Sequence, residues 1–423
     1  MTTNPRSSDY VMSITIIGIL FFIFGFVTWV NGTLIPYLKI ACELESDFQS
    51  YLVATAFFIA YTVMALPSSF VLAKTGYKKG MSLGLFVMAI GAAIFIPAAQ
   101  TRHYNLFLTG LFIIGTGLAL LQTASNPYVS IIGPIESAAS RISIMGICNK
   151  VAGIIAGLIF GYIALSDADG IEDRLKAMDE LTRAAELDAL ASRVIVPYII
   201  LTAVLIMLAI GILFSPLPDI KEDGDDNAQE TASRSSGKTS ILQFPHLLLG
   251  VLAIFVYVGV EVMAGDTIIS YGKSLGIELS IARYFTQATL ACMLIGYFVG
   301  IATIPKYISQ DAALKFSAII GVVFTLLAVF SSGEVSVAGI ALLGLANALM
   351  WPAIFPLAID GLGKFTKTGS ALLIMGIAGG AILPLIYGKL SEFIGTQQAY
   401  WIMVPCYIYI FYFATKGHKV GRA

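Results

Sequence analysis

Charge is scarce in this sequence. Only 12% of its 423 residues are Asp, Glu, Lys or Arg, about half the share found in ordinary soluble domains. So few charges cannot coat a water-facing globule of this size, because large apolar patches would stay exposed. Histidine is also scarce: His103, His246 and His418 are expected in loops, at span ends or in the tail. Neither an HExxH pattern nor a paired-aspartate motif occurs within the apolar runs, so an enzyme, a metal site and a cofactor are not expected. The four cysteines, Cys42, Cys148, Cys292 and Cys406, are far apart in or beside apolar runs. They have neither zinc-ligand spacing nor the density of a disulfide framework, and read as packing residues. With a net charge of −1 and no dense Lys/Arg stretch, there is no electrostatic footprint for nucleic acid.

What is abundant is apolar length. Hydrophobic residues make up 57% of the chain, and a bilayer is the solvent that accepts them on an outer face. A span needs about 20 mostly apolar residues. Such stretches are predicted near 12–38, 50–73, 80–99, 105–131, 141–165, 194–214, 244–272, 280–303, 312–331, 335–359, 366–388 and 398–415. The first is too long for the core of a cleaved signal peptide and is read as a retained span. The expected fold class is an all-α membrane protein with twelve transmembrane helices. An even count places both termini on one side. With that side cytoplasmic, the cytoplasmic segments hold 15 Lys/Arg and the short outer loops 5, so the termini are predicted inside.

Residues 215–243, polar, Gly/Ser-rich and mostly acidic, are predicted to be a cytoplasmic linker between two six-helix bundles, 1–214 and 244–423. Within it Gly237-Lys238-Thr239 has the end of a phosphate-binding loop, but Ala232 stands where the first glycine is required and no strand precedes it. The halves echo one another. Ile144-Met145-Gly146-Ile147 recurs as Ile374-Met375-Gly376-Ile377, 230 residues on, and Pro127 and Pro356 precede the two copies at nearly equal distances. Parallel repeats with a binding site at their interface are a common transporter design.

Polar side chains at membrane depth are costly and usually face a cavity or a partner. Lys150 in the fifth span and Glu261 in the seventh are the ion-coupling candidates, against the alternative of snorkelling or structural pairing. Asp266 and Asp360 lie near span ends that water can reach and read as structural. Asn31, Gln122, Asn126 and Asn149 carry paired donors and acceptors, which suits a solute covered with hydroxyls, though each could instead bond helix to helix. Trp351 offers an apolar face on which a sugar ring can pack, or is a core or lipid-facing residue. Gly153, Gly157 and Gly161 form a face that permits close helix approach.

The motifs Gln122-Thr123-Ala124-Ser125-Asn126-Pro127-Tyr128-Val129, Gly133-Pro134, Arg141, Asn149, Tyr257-Val258-Gly259 and Trp351-Pro352-Ala353-Ile354-Phe355 span most of the chain. Together they resemble the fucose:proton symporter family of the major facilitator superfamily, leaning to its glucose/galactose permease branch. The resemblance implies alternating access of two six-helix bundles around a central sugar site, in a multi-pass protein of the bacterial inner membrane that works as a monomer. It also implies cation-coupled symport. The family's proton-linked aspartate of the first span falls at Gly32, however, and its coupling glutamate of the fourth at Gln122. Neither titrates, so the coupling ion is expected to be H+ or Na+ acting through Glu261 or Lys150, with a facilitative uniporter or a non-transporting sugar sensor as alternatives. The family asparagine of the fifth span persists as Asn149. Ala73 to Gly80, with Lys74, Lys78 and Lys79, occupies the place of the superfamily's gating loop without its aspartate.

Overall fold

The computed structural model describes residues 7–131, 138–165, 169–217, 239–304 and 306–421, which are helical almost throughout. Ten helices among them are long and apolar enough to cross a membrane. One, Asp47–Thr101, has 55 residues, about 80 Å of helix rise and far more than a single crossing needs. It is two spans joined without a loop. The break is Gly76, at φ 74° and ψ 172°, a backbone region that costs a side chain and is open to glycine. The basic turn expected here is therefore a one-residue hinge. Lys78 pins it by donating to the carbonyl of Ser215 at 2.7 Å, at the end of the sixth span.

The last crossing falls short as one uniform helix, because Thr396–Ala399 and Met403–Thr415 are joined through the tighter turn Tyr400–Ile402. Counting the long helix as two and adding this segment gives twelve spans in two bundles of six. The others are Ser7–Trp29 continued by Asn31–Ala41, then Tyr104–Ile131, Ala138–Leu165, Ile195–Phe214, Pro245–Asp266, Phe285–Thr303, Gln310–Phe330, Gly333–Asn347 with Met350–Ile359, and Thr366–Met375 with Gly379–Ile394.

At the break of the tenth span a cause in the sequence is visible. Pro352 has no N–H to bond back to Ala348, and the tenth span breaks between Asn347 and Met350. After the second span's start, capped by Ser46 accepting from the Gln49 amide, Pro67 and Pro97 are carried inside helix. In the loop between the fifth and sixth spans lie two short helices, Ile171–Ala177 and Glu180–Ser192. Charge ties the second of them to the bundle: Arg183 pairs with Glu43, and Arg102 reaches Asp188 at 2.6 Å. Most of the expected linker, residues 218–238, lies outside the described residues, as do Gly133 and Pro134.

The two bundles meet along two seams. The second span packs on the eleventh: Thr55 donates to the carbonyl of Ala381 at 2.8 Å, Ser391 to Asp47 at 3.3 Å, and the Phe48 amide to Glu392 at 3.3 Å. The fifth packs on the eighth, where the glycine face finds its partner. A Cβ at Gly153 would lie 2.5 Å from Trp29 and 2.9 Å from Leu290, and one at Gly157 would lie 1.8 Å from Gln287 Nε2. These bonds gather at the end of the bundle away from the chain termini, called here the far end.

Candidate functional site

Between the seams, at mid-depth, is a cavity of about 170 Å³. The first, second, fourth, fifth, seventh, eighth, tenth and eleventh spans all contribute to its wall, so it lies on the junction of the two bundles. Thr28, Trp29 and Glu261 stand toward its far end and Ile142 toward the terminus side.

Lys150 and Glu261, 111 residues apart in sequence, meet here as an ion pair at 2.9 Å, with side chains only 8% and 11% exposed. Trp29 covers the lysine, its ring centre 4.2 Å from Nζ. Such a contact adds attraction for an ammonium group held away from water. The Trp29 indole N–H in turn donates to Asn149 Oδ1 at 3.2 Å. First, fifth and seventh spans are thus tied by one chain of contacts: Asn149 to Trp29, Trp29 over Lys150, Lys150 to Glu261. Two close packings set that geometry. A Cβ at Gly25 would lie 1.8 Å from the Asn149 carbonyl oxygen, and one at Gly265 would lie 2.5 Å from the Trp29 ring. Larger residues at either place would push the helices apart.

Across the cavity Gln122 donates through Nε2 to the Tyr61 hydroxyl at 3.1 Å. That bond engages the amide nitrogen of Gln122 and leaves its carbonyl oxygen to accept, while Asn149 has its carbonyl engaged and its amide nitrogen left to donate. Trp351 stacks on Phe355 at 5.7 Å between ring centres and tilts against Tyr257 at 6.4 Å, forming an aromatic wall. The arrangement offers what a polyhydroxylated ring requires: separate donors and acceptors, a charged pair, and flat apolar faces.

Of the residues singled out from the sequence, Gln122, Asn149, Lys150, Glu261 and Trp351 all line this one cavity. Asn31 does not. It is fully buried, and neither of its amide atoms has a hydrogen-bond partner among the described residues. Its place is in the closed packing beyond the cavity's far end. The Asn126 side chain lies outside the described residues. Asp266, expected where water reaches, is 1% exposed. It ends its helix inside the packed far end. Sequence reasoning missed Trp29, Tyr61, Tyr257 and Tyr297 as wall residues. Trp29, Tyr61 and Tyr297 give no signal beyond an aromatic in an apolar run, which core and lipid-facing aromatics share, and Tyr257 stands out only within its Tyr257-Val258-Gly259 motif.

Comparison with known proteins gives concordant results. Residues 17–364 match the Major Facilitator Superfamily. The chain is 36% identical over 421 residues to a glucose/galactose transporter of Brucella abortus, covering 99% of this chain and 97% of that protein. It is 32% identical over 414 residues to the L-fucose-proton symporter of Escherichia coli strain K12, covering 97% and 94%. Among solved structures, that of the E. coli fucose:proton symporter superposes with a TM-score of 0.72 at 30% identity, covering 96% of this chain and 98% of the other.

Proposed function

Because the chain belongs to the Major Facilitator Superfamily and, within it, to the fucose:proton symporter family, we propose that it is a secondary active transporter of a hexose such as glucose, galactose or fucose, coupled to a cation. The observation that carries this reading is the cavity itself. It lies at mid-depth between the bundles, holds a charged pair spanning them, and combines amide donors and acceptors with an aromatic wall. Asn149, Gln122 and Trp351 hold the sugar: the amides read its hydroxyls and the indole packs on its ring.

The termini are cytoplasmic and the membrane is the bacterial inner membrane, a reading supported by the excess of Lys and Arg on that side, 15 against 5 in short outer loops. The far end is then the outer end, and the conformation described is one closed to the outside. Rocking about the cavity must break the bonds of Thr55, Ser391 and the Phe48 amide while a matching seal forms on the cytoplasmic side.

The test is uptake of labelled glucose, galactose, fucose and mannose into proteoliposomes under separate proton and sodium gradients, with exchange at equal concentrations measured alongside. Exchange of one hexose together with gradient-driven accumulation is expected. Exchange indifferent to both gradients leaves a uniporter, and no exchange of any hexose leaves a non-transporting sugar-binding protein.

A further inference from the structure

Asp266 ends the seventh span five residues beyond Glu261, about 7.5 Å further along the helix. Neither of its carboxylate oxygens has a hydrogen-bond partner among the described residues. The helices closed against this end bring more buried polar groups in the same condition: both amide atoms of Asn31 and the Thr33 hydroxyl on the first span, and both amide atoms of Gln287 on the eighth. Their packing is tight. A Cβ at Gly32 would lie 2.8 Å from Thr286 Oγ1 and 3.1 Å from the Gly265 carbonyl, and Thr286 donates to that carbonyl at 2.6 Å. Folded proteins pair nearly all buried polar atoms. A set of orphans at one end of an interface that opens and closes therefore marks groups satisfied in the other arrangement, when water reaches them.

Among these groups Asp266 alone titrates. As an anion in the closed seal it would lack both a partner and water, which costs far more than burying the neutral acid. The titratable groups acting on it are Glu261 on its own helix, Lys150 on the fifth span and Tyr51 on the second. Glu261 repels the anion, and Lys150 is already held at 2.9 Å by Glu261. A sodium ion would need several oxygens converged upon it, whereas a proton needs one oxygen of Asp266.

We propose that Asp266 is the group that carries the coupled proton. The open far end lets its carboxylate take a proton from outside water. The neutral acid can then be buried, so the seal closes with sugar aboard. Loss of the O–H proton to water in the cavity, past Glu261 and Lys150, leaves an unpartnered anion that drives the far end open again. This assignment rests on the symport reading above.

The full chain in proteoliposomes tests it, with labelled glucose, galactose and fucose as probes. Wild type accumulates one of them under an inward proton gradient, up to about tenfold per pH unit at one proton per sugar. Asp266→Asn keeps exchange of that sugar but no longer accumulates it. Accumulation by Asp266→Asn equal to wild type overturns the assignment while leaving the symport reading intact. Wild-type uptake that ignores both the proton and the sodium gradient overturns both. Accumulation that follows sodium instead, and is lost in Asp266→Asn, overturns the proton and places sodium at this carboxylate. Infrared absorption of the wild-type protein gives a readout that does not depend on the variant folding. A protonated-carboxyl band is expected at neutral pH, and its absence from wild type overturns the proposal.

Discussion

Lys150 and Glu261 are each a charge that membrane depth should forbid, and each is tolerated because the other is 2.9 Å away. Removing one partner of such a pair leaves the other buried and uncompensated. Lys150→Met or Glu261→Leu should therefore destabilise the protein by about 3–5 kcal/mol, whereas the double replacement should be near neutral. Thermal unfolding in detergent checks this, and a double variant no more stable than the singles would contradict the pairing. Sugar handling separates from stability at Asn149. Replacing it with Ala removes the acceptor of the Trp29 indole and, in the proposed site, one donor for the sugar, so KM for exchange should rise about tenfold, the effect of roughly one neutral hydrogen bond. Neither outcome was readable from the sequence in full. Both charges stood out in apolar runs, but 111 intervening residues hide the fact that they are each other's partner.

At the scale of the element, glycine sets how close the spans come. Gly388 of the eleventh span lies where a side chain would strike the Tyr51 ring at 2.5 Å and the backbone of Asp47 and Phe48 at 3.3 Å, so Gly388→Leu should hold the far seam open. Cysteines placed along that seam should then react faster with a membrane-impermeant thiol reagent, and transport should fall; unchanged labelling would mean the seam closes another way. Gly76 is a hinge of a different kind. Gly76→Ala puts a Cβ into a left-handed backbone and should cost about 1–2 kcal/mol in unfolding measurements. The repeat of glycines at four-residue spacing was legible as a packing face. Which helix it packs on was not, because the spacing records how close a neighbour comes and carries nothing about its identity.

At the scale of the whole molecule, transport requires the two bundles to part at the far end. Asp47→Cys combined with Ser391→Cys replaces a bond between the second and eleventh spans, 3.3 Å long in the closed form, with a pair able to form a disulfide. Oxidation should stop exchange and reduction should restore it; full activity of the oxidised form would show that this seam does not open. The same geometry explains where Asn31 and Asp266 depart from expectation in this conformation. The sequence puts Asn31 among the cavity candidates and Asp266 at a span end that water reaches. Each sits instead in the closed far end, held there by the approach of Gly32 to Thr286 and of Gly265 to Trp29.

The sequence by itself determined the solvent, the number and length of the crossings and the pairing of two similar halves. Those follow from local quantities: about 20 apolar residues satisfy a bilayer's thickness wherever they occur, and a repeated motif is visible in one dimension. Tertiary structure alone decided which polar residues share a cavity, which charge neutralises which, and which carboxylate is left without a partner. Those depend on how helices are rotated and how closely glycine lets them approach, and residues over a hundred positions apart settle that only when the bundles close on one another.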